Sequence, residues 1–521
     1  MLPTTHHPSS LWKAAGVMGL LTAASRILGF VRDCLIAAAY GTSSTAQAFV
    51  VAFRIPNLLR DLVGEGAANA AFVPVFSRIR AVEGESSWLH LAQAVWIRVL
   101  FVFLLVALVG VIAAPGLVYL VAPGFHSDPQ LLALTIRLTR ILFPFIGFVG
   151  IAAFFMGLLN SVHRFASPGL GPVLLNICMI GGLTLWRPDA MGLAWGVIAG
   201  GFVQLAAQWP ALVRAGVNLR LKMAHHPGVR QIGRLLVPRI IGTGVYQISV
   251  VVDTVFASFP HLVGAGGVAS LYFAHRFLHL PLALFGISMA QAALPTMSTQ
   301  AAAQEMPAVR RTCLVALRSS LLIAIPSSVG LLFLGQPIIR TLLERGAFSS
   351  ESTGTTVAVL QWYAVGLISM CAVKVLANTL YALHDTWTPV RSAAIALGLN
   401  VILNGALVLP MRLSGLALAT SLSSTWNGLH LYRAVSHRVG SMAGELKTWI
   451  VRVGAASIGM GGVSGCVWFL GSRVMGLSSP WAVIAWLLVT VGSGVSLFFF
   501  LAYLLHIEEV RALSSWLFRK S

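Results

Sequence analysis

The chain has 521 residues, of which 57% are hydrophobic and only 10% charged, and its mean hydropathy is +0.85. Soluble domains carry about 25% charged residues, so the composition excludes an ordinary globular enzyme and indicates an all-α polytopic membrane protein. The formal net charge of +20 would suggest nucleic acid as a partner in a soluble chain. Here it has a simpler source, because Lys and Arg gather in loops that stay cytoplasmic.

Apolar runs of about 20 residues mark membrane-spanning helices. In chain order they fall near 12–38, 45–68, 92–121, 131–159, 169–186, 191–213, 235–258, 264–299, 314–337, 355–381, 390–410, 414–436, 448–471 and 481–506. The stretch from Met1 to Lys13 lacks a signal-peptide cleavage pattern, and the run after it exceeds h-region length, so the first span is expected to be retained. The cysteines (Cys34, Cys178, Cys313, Cys371, Cys466) lie scattered in apolar runs without a CxxC spacing, which indicates neither a metal nor a disulfide. Glu508 and Glu509 read as solvated tail.

Loop charges orient the spans. With a cytoplasmic N-terminus, 22 of the 35 Lys and Arg fall in cytoplasmic loops and tails, including Arg78, Arg98, Arg164, Arg214, Arg230, Arg310, Arg318 and Arg438. The opposite face holds only Arg187, Arg340, Arg345, Arg412 and Arg473. This imbalance predicts both termini in the cytoplasm. Eight basic residues remain inside predicted spans: Arg26, Arg32, Arg54, Arg60, Arg137, Arg140, Arg276 and Lys374.

An internal repeat accompanies this pattern. Asp33 matches Asp253 at a shift of 220, Ala71-Phe72-Val73-Pro74 matches Ala292-Ala293-Leu294-Pro295 at 221, and His163 and Pro168 match His384 and Pro389, again at 221. Pro115 and Gly124 match Pro337 and Gly346 at 222. The organisation read from this is a six-helix lobe over 1–222, a second over 223–440 whose first residues to 234 are mostly cytoplasmic linker, and two additional helices over 441–521. Six helices per half make the repeat parallel, an arrangement that transporters use with the binding site between halves.

The intramembrane arginines are the chemical signal, because a charge in the bilayer is costly unless it faces a watery cavity or a partner. They cluster in Ser25-Arg26-Ile27-Leu28-Gly29-Phe30-Val31-Arg32-Asp33 and in Phe53-Arg54-Ile55-Pro56-Asn57-Leu58-Leu59-Arg60, followed by Glu65-Gly66-Ala67. Guanidinium groups suit a phosphate, which they grip through paired N–H donors. Structural pairing with Asp33, Asp61 or Glu65, or snorkelling to the interface, would account for the same residues. Arg54, Arg137 and Arg140, nearer helix ends, are expected to snorkel. Asp253 inside a span can hold a cation or proton, and Asp385 before Thr386-Trp387-Thr388-Pro389 reads both as a candidate cation ligand and as a helix-stop turn. The sequence contains no GxSxG elbow, HExxH or P-loop, so no enzyme is expected.

Through these motifs, together with Phe256-Ala257-Ser258, Arg276 and Asp385-Thr386-Trp387-Thr388-Pro389, the chain resembles the MurJ/MviN family of lipid II flippases over nearly its whole length. The resemblance implies the fold of the multidrug/oligosaccharidyl-lipid/polysaccharide exporter superfamily, with two six-helix lobes in a V around a cationic cavity. The last two helices would line a groove for the lipid tail. It also implies movement of an undecaprenyl-diphosphate-linked peptidoglycan precursor from the cytoplasmic to the periplasmic leaflet of the bacterial inner membrane, by alternating access. No cofactor is implied beyond Na+ or H+ coupling, or the membrane potential. The family's cavity arginines carry over to Arg26, Arg32, Arg60 and Arg276, with Ser25, Asp33 and Glu65 in supporting positions. Sodium use in some members makes Asp253, and secondarily Asp385, the candidate cation ligands. The partners expected are lipid II, membrane lipids and, for a chain acting as a monomer, the cell-wall synthesis machinery.

The chain departs from the family pattern at Gln47, and at His275 and His279 around Arg276, where acids are usual. Two histidines there would make transport pH-sensitive. The rival readings are a flippase for another polyprenyl-diphosphate oligosaccharide, a drug exporter of the superfamily, a membrane glycosyltransferase, and a scaffold.

Overall fold

The computed structural model describes residues 8–63, 71–186, 189–219, 224–474 and 479–511. Among these residues there is no strand, and the long helices follow the predicted order. They are α1 (Pro8–Tyr40), α2 (Ser44–Val63), α3 (Val73–Val121), α4 (Pro129–Ser161), α5 (Ala166–Leu185), α6 (Ala190–Val213) and α7 (Pro227–Ala257). After them come α8 (Gly267–Ala302), α9 (Met306–Leu343), α10 (Ser350–Ala382), α11 (Trp387–Met411), α12 (Leu413–Val439), α13 (Ala443–Val474) and α14 (Pro480–Leu504). Ten of them are long and apolar enough to cross a membrane; among the described residues, α1, α2, α7 and α12 are not. Those four carry Arg26, Arg32, Arg54 and Arg60, Asp253 and a run of Ser, Thr, Asn and His side chains, whereas Arg137 and Arg140 lie on α4 and Arg276 on α8. A helix that buries polar groups against protein needs fewer lipid-facing apolar residues, so low hydropathy here marks polar surroundings.

Local chemistry sets the breaks. Pro144 has no N–H to continue the ladder, so α4 divides into Pro129–Leu142 and Phe145–Ser161. The Asp128 carboxylate caps its start, accepting from the N–H groups of Gln130 (3.1 Å) and Leu131 (3.0 Å). At 49 residues α3 is far longer than a bilayer requires. It bends at Gly84, whose φ of 87° suits a residue without Cβ. The apolar run from 92 marked only the part suited to lipid, and the helix extends back to Val73.

The chain divides into two compact units, Met1–Phe259 and Pro260–Ser521. In the first, α5 and α6 meet along Gly192, Gly196 and Gly200, where a Cβ on Gly196 would lie 2.7 Å from the Cys178 carbonyl oxygen. Small residues at four-residue spacing let membrane helices approach this closely. The contact sets α5 in place, and α5 in turn packs against α1. By packing, α7 belongs to this unit through contacts with α2 and α3, although the repeat counts it as the opening helix of the second half. Packing and sequence correspondence are different quantities, and here their boundaries lie one helix apart.

In the second unit α10 packs against α9 and α12, and α12 against α11. The Ser421 hydroxyl donates to the Trp362 carbonyl at 2.7 Å, and Gly366 leaves room for Ser421. At the far end of the chain α13 lies on α9 and α14 on α13.

The repeat is visible in backbone detail. His163 and His384, 221 residues apart, both end their helices in the left-handed region, with φ of 60° and 58°. After each, the next N–H returns to a carbonyl five residues back: Arg164 to Leu159 and Asp385 to Leu380, both at 2.9 Å. Asp128 and Ser349, also 221 apart, are both N-caps whose side chains accept from the following turn.

Candidate functional site: arginines in membrane helices

In the first unit, Arg32 and Asp33 are buried, with 7% and 5% of their surface exposed. The Arg32 guanidinium donates to Asp33 Oδ1 from Nε (3.0 Å) and Nη2 (2.7 Å), and to Asn176 Oδ1 on α5 from Nη1 (2.8 Å). The same Asn176 amide donates to the Ser25 carbonyl at 3.0 Å and reaches the Ser25 hydroxyl at 3.5 Å. Ser25, Arg32, Asp33 and Asn176 therefore form one polar bracket between α1 and α5. The donors expected to take a phosphate at Arg32 are engaged by the protein itself.

Arg26 lies on another face of α1, exposed and without a hydrogen bond or ion pair among the described residues. Arg60 is half-buried in the last turn of α2. Glu65 lies outside the described residues. Arg54, expected to snorkel, instead donates through Nη1 to the Thr254 hydroxyl on α7. The next residue back from that contact is Asp253, half-buried on the same helix. Gln47 is buried, while Arg137 and Arg140 are exposed on α4.

In the second unit, Arg276 is half-buried on α8. Its guanidinium carbon sits 4.7 Å from the centre of the Tyr272 ring, and its Nη2 donates to the Tyr272 hydroxyl at 2.8 Å. Lys374 is half-buried on α10. Asp385 takes the turn role. Its Oδ1 accepts from the N–H groups of Trp387 (3.0 Å) and Thr388 (2.9 Å), and its Oδ2 from Arg438. Burial pushes the carboxyl up, but the Thr388 side chain and N–H, the Arg438 charge and the Trp387 N–H outweigh it and hold the pKa below its ordinary 3.8. A carboxylate bonded in this way has its oxygens committed to the helix start and to α12. Among the described residues no three His, Cys, Asp or Glu side chains come together as a metal site would need.

Three constellations were missed in the sequence. Ser392 on α11 donates to Asn427 Oδ1 on α12 at 2.6 Å and lies 3.1 Å from His430 Nδ1; further along, Asn400 donates to Thr420 at 3.2 Å. The available signal was Ser, Asn, Thr and His recurring at three- and four-residue steps inside apolar spans. Glu508 is exposed, as read, while pairing with Arg318 at 3.0 Å; Glu509, also read as solvated tail, is instead half-buried, 3.7 Å from Arg318, and accepts from Trp449 at 2.8 Å. Finally, Asn218, Ala224 and His226, ahead of or at the start of α7, bond to α3 or to α7 itself. Arg98 donates to the Ala224 carbonyl at 3.0 Å and Gln93 to the Asn218 carbonyl at 3.1 Å. His226 caps α7 by accepting from the Gly228 N–H at 3.0 Å.

The chain as a whole is similar to known proteins. The profile of the family described as "Lipid II flippase MurJ" matches residues 36–492. A Burkholderia cenocepacia protein named "Lipid II flippase MurJ" is 32% identical over 461 residues, 86% of this chain and 89% of its own length. A Vibrio cholerae protein named "Probable lipid II flippase MurJ" is 34% identical over 440 residues, 82% and 83% of the two chains. Among solved structures, "Lipid II flippase MurJ, inward closed conformation" superposes with a TM-score of 0.77 at 25% identity, covering 95% of this chain and 99% of its own. An inward-facing multidrug transporter of the MATE family reaches 0.69 at 13% identity over 80% of this chain and 94% of its own, a likeness of fold alone. With its polytopic helical fold and a match across most of its length, the chain belongs to the MurJ lipid II flippase family, whose members are transporters and not catalysts.

Proposed function

We propose that this protein moves lipid II from the cytoplasmic to the periplasmic leaflet of the bacterial inner membrane by alternating access. The observation that carries the reading is the set of arginines held at the level of membrane helices, Arg26 and Arg60 in the first unit and Arg276 in the second. A diphosphate crossing bare lipid would lose its water at a cost of many kcal/mol. Guanidinium groups replace that water with charge-assisted bonds. Arg32 contributes by fixing α1 against α5, the helix on which Arg26 is carried being thereby placed.

Two further assignments belong to the proposal. Both termini lie in the cytoplasm, and the protein acts as a monomer beside the cell-wall synthesis machinery. The energy comes from the membrane potential, worth about 2.3 kcal/mol per charge per 100 mV, or from a Na+ or H+ gradient coupled through Asp253. The test is complementation of a strain depleted of its own lipid II flippase, scored by exposure of lipid II at the outer leaflet. Restored exposure supports the reading, and growth rescue without exposed lipid II would refute it. In the same assay Asp253→Asn should reduce the dependence on the ion gradient while membrane levels stay normal. Unchanged ion dependence would make Asp253 structural.

A further inference from the structure

Tyr272, His275, Arg276 and His279 follow one another on α8 at i, i+3, i+4 and i+7, which places them on one helix face. All four are half-buried, whereas Leu271, Phe273, Ala274, Phe277 and Leu278 on the opposite side are buried. The helix thus packs its apolar side into the unit and leaves a polar stripe half-open. In a membrane helix, such a stripe faces a watery space or a ligand. The two imidazole rings lie 5.6 Å apart, and His275 meets the Tyr363 ring of α10 edge-on at 6.1 Å. Tyr272 stacks under Arg276 and orients its guanidinium along the same stripe.

The neighbouring helices carry titratable groups of their own. From α10, Tyr363 faces the pair, and Cys371 and Lys374 follow about two to three turns along. From α9, Arg340 and Glu344 are paired with each other at 3.5 Å, and Arg345 donates to the Thr341 carbonyl at 2.9 Å. The titratable groups of α12, from His430 onward, belong to its last third.

We propose that His275 and His279 form, with Arg276, a single anion subsite whose grip on the cargo diphosphate strengthens when the imidazoles take up protons. Imidazole is the side chain that changes charge between about pH 5 and 8. Each phosphate of lipid II carries one ester and one anhydride linkage and keeps its single strongly acidic oxygen ionised over this range, so the pH response arises on the protein. Arg276 supplies the constant charge of the subsite, and the two histidines supply the variable part. The inference rests on the lipid II reading and adds a pH-dependent element to it.

The experiment measures binding of fluorescent lipid II to the full chain in nanodiscs at about pH 5.5 and 8.5, without added metal. The wild type should bind roughly tenfold more tightly at the acidic pH. The His275→Gln/His279→Gln double variant should reduce that ratio to about twofold or less. His279→Arg, which fixes one charge, should bind tightly at both pH values. Arg276→Lys should weaken binding at both and keep the step. A wild-type ratio near one, or a full step in the double variant, overturns the inference while leaving the cargo assignment intact. A step that appears only with added Zn2+ also overturns it, since the pair would then be a metal clip. No binding at either pH overturns the cargo assignment and this inference together.

Discussion

Arg32 on α1 and Arg276 on α8 are the same residue type, each within a long helix, yet their surroundings differ. Arg32 is 7% exposed and hydrogen-bonded through three nitrogens to Asp33 and Asn176. Arg276 is half-buried on an aromatic and imidazole stripe, stacked on Tyr272. In both cases the charge is stabilised, as it must be in a bilayer. In the first case the stabilising groups are a carboxylate and an amide, so the guanidinium ties two helices together. In the second, a ring face and a hydroxyl orient the group along a half-buried stripe. The chemistry of the partner, more than the presence of an arginine, separates a structural role from a binding one.

That contrast breaks first at Arg32. Arg32→Ala leaves the Asp33 carboxylate buried beside Asn176 without its cation, and breaking a buried pair costs about 3–5 kcal/mol. The expected result is a large drop in thermal stability and in membrane level, whereas Arg276→Ala should leave melting nearly unchanged and lose lipid II binding. Equal melting of the two variants, followed by fluorescence-detection size exclusion on heating, would erase the distinction.

A smaller effect is expected where the two halves use opposite charges at the same place. After His163 the loop residue is Arg164, which donates to the Ala211 and Arg214 carbonyls at the end of α6. After His384 it is Asp385, which accepts from Arg438 in the last turn of α12. Asp385→Asn keeps a capping side chain and loses the ion pair, for up to about 1 kcal/mol. Asp385→Ala loses the cap as well, for about 1–2 kcal/mol. Because the Asp385 pKa is lowered, its contribution is complete above the ordinary value of 3.8 and disappears as pH falls through the lowered one. Thermal melts of the three proteins at neutral and acidic pH check both the order and the sign.

The smallest expected effect concerns the start of α7. His226 is 7% exposed by its side chain, accepts from the Gly228 N–H, and lies 3.1 Å from the Ser87 hydroxyl and 3.8 Å from Glu83. Burial lowers its pKa from 6.5, with Glu83 opposing and His90 assisting. The neutral ring is the one that caps α7. The cap is therefore complete above pH 6.5 and weakens as pH falls through the lowered value. Protection factors over 224–231, taken against the intrinsic exchange rate at each pH, should fall in the wild type as pH drops through the lowered value. In His226→Asn, which still caps, the protection factors should not change with pH.

Much of the fold was legible, since a run of about 20 apolar residues has few alternatives to a membrane helix. The repeat was legible because paired His163 and His384 mark the same left-handed turn. The extension of α3 back to Val73 was not, because its bonds, from Arg78 to Gln231 of α7 and between Ser87 and His226, lie outside any apolar pattern. The site was legible in residue type but not in partnership. Asn176 lies 144 residues from Arg32, and Thr254 200 residues from Arg54, and no local spacing announces such contacts. The same limit explains Glu508 and Glu509, whose partner Arg318 is in another helix.

The central proposal is that Arg26 and Arg60 of the first unit, and Arg276 of the second, each act on the diphosphate through paired N–H donors and not through positive charge alone. Lysine at each position keeps the charge and removes the fork. The deciding measurement is lipid II binding by Arg26→Lys, Arg60→Lys and Arg276→Lys, each at normal membrane level, alongside flipping in the depleted strain. Loss of one charge-assisted contact corresponds to about 1.5–3 kcal/mol, or roughly 10- to 150-fold in affinity, and each variant should weaken by that amount with transport falling in step. Wild-type affinity and transport in all three lysine variants would contradict the account and leave the arginines supplying only a field.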